Sequence, residues 1–541
     1  MMLKKLSVLI SALIAANVYA ATDEVVVTGT YSPVTTEQIA ASVTTINQEQ
    51  LLALSSHSLV DALRQIPSIW VEEQGGPGGI TAIALRGAES NHTLILLDGV
   101  QLNDPTNTRG GAFDVNNINI DSIKRIEIIR GAQSAIYGTD ALAGVIHIIT
   151  TEPTEKMQHS LNVAVGEDGY KTGSFSTTGT VNNVGYAVKI QSKDAGEPIE
   201  GSSAKNKEAL VKLNWQQESQ RVDFSYRYLD GEKTSFPEQS GGPLFAESRD
   251  VDNSDFTDQN AALAWQWQIN STWRSKVQAS WFNREELLSS PGISPYFAVP
   301  PNGSDTDFTR ETFSWINTIG DEKSAWGNLG LETKHESGES LGYITGFDIP
   351  LNFDLDRRID SAFINVNGYV NPDLLIQVSG RRDSPEDIDR NDSGQIGARY
   401  QINENLSWFA NAGKGFKLPS FFALGHPLVG NRDLKPETAT TRDTGVDWKS
   451  DSTTFNLSYF RNTYTNLIDF DSELFKNVNR EDVIDTRGAE VEIRWHSQDN
   501  QWQLGAHASY ADIDSKYPLM GRPQVKAGAN AVFILNEGWQ F

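Results

Sequence analysis

Eight histidines, at positions 57, 92, 147, 159, 335, 426, 496 and 507, are scattered through the 541 residues, and their spacing sets up no metal-binding pair. No Gly-x-Ser-x-Gly turn raises a serine nucleophile, and the chain has no cysteine. Hydrolysis by a serine, histidine and acid therefore has no motif to rest on, and the chain is not expected to be an enzyme. Acids do cluster. Asp250, Asp252, Asp255 and Asp258 offer oxygen ligands of the kind calcium takes, but without the spacing of an EF-hand, so a solvated loop is the competing reading. Arg86 and Arg130 each follow apolar, strand-like residues and precede a glycine. Planar guanidinium groups so placed suit bidentate pairing with carboxylates, or else sit as independent surface charges in turns.

The elements that would position these groups begin with export. Met1 to Ala20 carries Lys4 and Lys5, an apolar run from Leu6 to Ala16 and small residues before a cut between Ala20 and Ala21, the grammar of a secretory signal. Just beyond it lies Glu24, Val25, Val26, Val27, Thr28, Gly29. An extended run so close to a mature N-terminus can add as a strand to a partner protein, or can serve as an ordinary first strand of the chain's own next domain. No other stretch reaches the roughly 18 to 20 apolar residues of a spanning helix, so a membrane form of this chain has to be a barrel.

Composition agrees with that form without requiring it. Only 38% of residues are hydrophobic, yet a membrane barrel needs apolar side chains only at alternate positions. Losing the signal with its two lysines takes the formal charge from -25 to -27, a surface that disfavours nucleic acid.

The pattern changes near residue 152. From Gln38 to Thr151 the text is mixed α and β: a helix opening at Ser58 with Leu59, Leu63 and Ile66 on one face and closing at Pro67, then short apolar runs at 68–71, 80–85, 93–97, 125–129 and 145–150. After Pro153 strict alternation takes over, as in Val222, Phe224, Tyr226 and Tyr228, in Leu263, Trp265, Trp267 and Ile269, and in Val491, Ile493 and Trp495 against Glu490, Glu492 and Arg494. About 20 such segments follow residue 157, each at the ~10 residues that cross a bilayer as a strand. Long polar stretches at 193–207, 231–259, 288–309, 382–393 and 418–437 alternate with tight turns such as Asn182-Asn183, the asymmetry of an outer-membrane barrel. The expected fold is mainly β: a large antiparallel transmembrane barrel with an α+β domain in its lumen. Its expected divisions are 1–20 signal, 21–37 strand-adding segment and linker, 38–153 lumenal domain and 154–541 barrel.

At this point the text resembles the TonB-dependent outer-membrane receptors, over nearly all of its length. The resemblance is carried by Glu24 to Gly29, Ser58 to Leu63 with Ile66-Pro67-Ser68, Ala84-Leu85-Arg86-Gly87, Leu96 to Val100, Ile123 to Ala132, Ser134 to Gly138, Gly413 to Ser420, Asn431 to Glu437 and Arg487 to Glu490. Among subgroups it is most similar to the cobalamin receptors, with ferric siderophore receptors close behind. The resemblance implies a 22-stranded barrel in the outer membrane, filled by a plug, with Glu24 to Gly29 as the box that the TonB protein grasps on behalf of an inner-membrane energising complex. It implies a monomer surrounded by lipid and a small nutrient as ligand; no cofactor is expected beyond the calcium that the four aspartates could hold in an outer loop, and the acidic charge speaks against nucleic acid. It also implies that Arg86 and Arg130 face barrel-wall carboxylates at Glu437 and Glu490. The plug apex would then present Gln74, Asn91, His92 and Asn103 to the ligand. Asn536-Glu537-Gly538 reads as a turn, so Trp539 opens another strand; by resemblance the family's last few strands are missing, as in a shortened chain or interrupted gene, the alternative being a smaller complete barrel.

Overall fold

A computed structural model describes residues 25, 26, 28, 30–54, 58–294, 299–346, 350–516, 519, 521–536 and 539–540. The expected signal, with Glu24, Val27 and Gly29 of the strand-adding run, lies outside the described residues.

The N-terminal part is built on a five-stranded sheet. Its elements are β1 (Val25–Val26), β2 (Val34–Thr35), β3 (Val43–Asn47), α1 (Gln48–Leu54), α2 (Leu59–Arg64), β4 (Ile69–Glu73), β5 (Thr81–Leu85), β6 (Thr93–Leu97), β7 (Val100–Gln101), β8 (Ile123–Arg130), α3 (Ser134–Tyr137) and β9 (Gly144–Thr150). The sheet order is β3-β8-β9-β6-β7, with β6 parallel to β9 and the other pairs antiparallel. Both β6 and β9 are buried along their whole length, which is why their sequences are continuous apolar runs instead of alternating ones. Leu59, Leu63 and Ile66 pack into the core beneath this sheet, as their helical spacing predicts. Ser58 holds the N-cap position with extended backbone, but its side chain makes no cap hydrogen bond.

From Gln158 onward, nineteen antiparallel strands pair among the described residues, each with its next neighbour in the sheet, beginning with Gln158–Val165 and ending with Val525–Asn536 and Trp539–Gln540. A separate hairpin, Ile468–Asp471 with Lys476–Asn479, stands out from one of the long loops. The burial is inside-out relative to a water-soluble protein. Leu263, Trp265, Ile364, Val366, Ile493 and Leu504 are exposed, whereas Glu208, Arg227, Glu336, Arg381 and Glu490 are buried. Apolar side chains meet lipid, charged ones meet the plug, and backbone donors are spent on neighbouring strands. Among the described residues no helix is long and apolar enough to cross a membrane.

Strands run further than the sequence suggests. Gln220–Ser235 and Asp252–Asn270 leave only 236–251 as loop, and Trp273–Ser290 with Asn302–Asp321 leave 291–301. Strands of 18 to 20 residues are nearly twice what a bilayer needs. Their outer halves lose the apolar alternation, with polar residues such as Asp258 and Asn260 buried on the inner face, and so read as loops.

Candidate functional site between plug and barrel

The lumenal domain meets the barrel wall through buried charged groups as well as apolar ones. Arg86 follows β5 in a left-handed turn (φ 51°) that β4 supports, its amide donating to the Ser68 carbonyl at 3.0 Å. Its Nε and Nη2 donate to the two oxygens of Glu490, both at 2.9 Å. Arg130 closes β8 with Nε 3.6 Å from the same Glu490 Oε1, while its Nη1 donates to Thr44 Oγ1 at 2.8 Å. Ser458 Oγ adds a further hydrogen bond to Glu490 Oε2 at 2.8 Å. One barrel carboxylate thus gathers two plug guanidinium groups, all three at most 5% exposed.

Glu437 departs from expectation. It meets neither arginine: Oε1 accepts the Ile468 amide at 2.9 Å, and Oε2 lies 3.4 Å from His92 Nε2 of the plug. It opens the strand Glu437–Lys449 at its outer end, while the carboxylate of that strand nearest the arginines is Asp443, electrostatically coupled to Arg86 and Arg130. Six residues of strand separate the two by about 20 Å.

Of the apex candidates, Asn103 is spent inside the plug. Its Oδ1 accepts the Ile95 amide at 2.9 Å and its Nδ2 donates to the carbonyls of Thr93 (3.1 Å) and Gly111 (2.9 Å). Gln74 is half-buried beside the glycine-rich turn, where the Gly78 amide donates to Ser202 Oγ on the barrel side at 3.0 Å. Asn91 is half-buried and His92 fully buried.

The four aspartates do not converge. Asp250 stands in the loop, where it accepts from Ser248, and the other three are spread along the strand Asp252–Asn270. Period-two pleating turns Asp255 away from Asp252 and Asp258, and the latter two are about 20 Å apart. Asp258 is buried and accepts from Arg284 Nη1 at 2.7 Å. The acids that do come together among the described residues are Glu89 and Glu437, around His92.

On the opposite, short-turn side, β1 folds back on β2 with Val25 opposite Thr35 and Val26 opposite Val34. Thr28 is fully buried; its amide and Oγ both donate to Glu127 Oε2, at 2.9 and 2.6 Å. With that hydroxyl proton spent, His147 Nδ1, 2.9 Å from Thr28 Oγ, acts as donor to it. Desolvation pushes the His147 pKa below the ordinary histidine range, against the pull of Glu127. Tyr31 then anchors the linker, stacking on Phe363 of the barrel at 4.1 Å and donating to the Ile136 carbonyl of α3 at 2.9 Å.

Alternation alone did not reveal a further set of contacts. Barrel cations grip plug carbonyls: Arg227 at Asn117, Arg310 at Gln101, Arg399 at Ile39 and Lys526 at Ile66 and Ile69. Period two marks these side chains as lumenal, but backbone acceptors have no sequence signature.

Comparison with known proteins places this architecture. The model of the TonB-dependent receptor plug domain matches residues 35–145, and that of the TonB-dependent receptor-like β-barrel matches 201–541. The chain is 28% identical to the vitamin B12 transporter BtuB of Vibrio vulnificus strain CMCP6 over 465 residues, covering 82% of this chain and 71% of that protein. In structure it is similar to the siderophore receptor PirA from Pseudomonas aeruginosa (TM-score 0.70, 18% identity, 92% of this chain and 88% of that one). It is also similar to the ferripyoverdine receptor of the same organism (TM-score 0.78, 16% identity, 94% and 76%). Since the barrel match alone spans well over half of its length, this chain belongs to the family of TonB-dependent receptors of the outer membrane.

Proposed function

We propose that this receptor imports a corrinoid of the cobalamin class into the periplasm, and that a TonB protein supplies the work by pairing with Glu24 to Gly29. The observation that carries the energised part is the lumen itself. It is filled by a domain held through buried ion pairs and hydrogen bonds, Glu490 among them, beside apolar contacts with wall residues such as Phe282, Phe308 and Trp326. Polar contacts of this kind fix register and resist thermal motion, yet each is exchangeable for water when the domain is pulled. The corrinoid assignment is supported by the vitamin B12 transporters among its relatives at 28% identity. Ferric siderophore is the second reading, favoured by the siderophore receptors among structural neighbours, whose identities of 14–18% speak to fold.

In this reading the ligand settles on the outer loops and plug apex, the plug responds, and Thr28 leaves its seat on Glu127 so that the preceding strand is free to pair with TonB. The protein works as a monomer in lipid. Outer-membrane vesicles carrying the chain, titrated with radiolabelled cyanocobalamin, are expected to show saturable binding that unlabelled cobalamin displaces and ferric siderophores do not. Displacement by a ferric siderophore alone would move the assignment to iron.

A further inference from the structure

We propose that Glu89, His92 and Glu437 form a site for a divalent first-row transition ion that ties the plug apex to the barrel wall. The site is independent of which nutrient the receptor carries. Glu89 precedes and His92 closes the short turn Ser90–His92 of the plug, and Glu437 opens the barrel strand that faces it. One ligand atom from each lies within 4.8 Å of the others. A tetrahedral ion with bonds of about 2.0–2.2 Å holds its donors roughly 3.4 Å apart, a closure within reach of rotation of the half-buried Glu89 side chain.

A second observation points at a missing guest. His92 is 0% exposed, and its Nε2 has no well-formed hydrogen bond, only a long contact of 3.4 Å with Glu437 Oε2, at which it is aimed. Buried nitrogens are ordinarily satisfied, and the neighbouring Asn91 Oδ1, Thr93 Oγ1 and Tyr464 hydroxyl are also without partners. The Ile468 amide already holds Glu437 Oε1, which fixes the carboxylate with its other oxygen toward the histidine, as an outer-shell hydrogen bond does for a metal ligand.

The surrounding charges set the terms. Lys417 Nζ stands 3.9 Å from Glu437 Oε2 and 3.7 Å from Asp140 Oδ1, so it keeps a carboxylate when an ion takes Glu437. Arg522 also acts on Glu89, so an incoming cation meets one like charge there. The Glu89 amide donates to His92 Nδ1 at 3.3 Å, which places the ring proton on Nε2; ligation through Nε2 shifts that proton to Nδ1, so this long hydrogen bond opens as the ion enters. One imidazole with two carboxylates, and water in the remaining position, suits zinc or its neighbours better than calcium, which takes six to eight oxygens.

The test is calorimetric titration of Zn²⁺ into the chelator-treated full chain in detergent, repeated by optical titration with Co²⁺. One saturable ion per chain is expected, with affinity falling at least about tenfold in Glu437→Gln and in Glu89→Gln, and unchanged in Asp250→Asn. Glu89 is half-buried, so its variant keeps the test alive if Glu437→Gln fails to assemble. Absence of stoichiometric binding, or equal affinity in wild type and Glu89→Gln, overturns the site and leaves the orphaned nitrogen to a buried water.

Discussion

Glu490 serves two arginines at once, and this asymmetry decides what substitution does. Removing a carboxylate from between two buried guanidinium groups strands both, whereas removing one arginine leaves the pair Glu490 retains. Glu490→Ala is therefore expected to cost about 3–5 kcal/mol, the penalty for breaking a buried pair. Arg86→Ala combined with Glu490→Ala is expected to cost less than the sum of the single changes, since each then removes the other's orphan. Denaturant unfolding of the four proteins in detergent gives the cycle; additive losses would mean that the two groups do not share an interaction. Arg86→Lys is not expected to restore the wild-type midpoint, because an ammonium offers no planar fork to the two oxygens. Both arginines were legible in sequence from the apolar residue before each and the glycine after. Assigning Glu437 to them failed for a geometrical reason: period two says which face a strand residue occupies, and nothing in it says how deep in the lumen that residue lies.

Two elements decide how the plug is seated, one at each end. At the short-turn end the segment before β2 is clasped by Glu127 and His147. Burial lowers the His147 pKa, so an unfolded or released histidine takes up a proton before the clasped one does. The clasp is accordingly at full strength above the unfolded histidine value of about 6.5 and weakens as pH falls from there toward the folded value. Glu127, Asp98, Arg125 and Lys212 all act on this ring, and the two acids oppose the shift without cancelling it. Proteolysis within residues 21–40 is expected to be faster at pH 5.5 than at pH 7.5, with His147→Gln flattening the difference; identical rates in wild type would remove the histidine from the clasp. At the outer end, the glycine-rich turn abuts a barrel strand so closely that a Cβ on Gly78 would stand 1.8 Å from the Thr234 carbonyl oxygen. Gly78→Ala has to push the turn off the wall and is expected to cost about 1–3 kcal/mol, read from the thermal midpoint. The glycines were visible as a turn, but contact with the wall depends on strand lengths that the sequence understated. Once a strand leaves lipid, neither of its faces needs to be apolar.

At the scale of the whole molecule, the inverted burial and the filled lumen pose one mechanical problem. A barrel that turns Trp265 and Ile493 outward and Glu336 and Arg381 inward needs lipid or detergent around it, and the alternation that forces this was legible in sequence strand by strand. A plug gripped by Arg227, Arg310, Arg399 and Lys526 through its own carbonyls is not expected to be released by ligand alone, because such hydrogen bonds are distributed around the wall. Binding and transport should therefore separate cleanly. In the proposed cycle the force enters through backbone pairing of the segment at 24–29, so a residue without an amide proton there breaks the coupling and leaves the outer face intact. Cells carrying Val26→Pro are expected to bind the nutrient at their surface as the parent does and to accumulate none, matching parent cells treated with a protonophore. Surface binding and accumulation of radiolabelled cobalamin, measured separately, check both halves. Accumulation at the parental rate would place the handle elsewhere in the chain, whereas loss of binding as well would mean that the segment supports the plug and is not the point at which it is pulled.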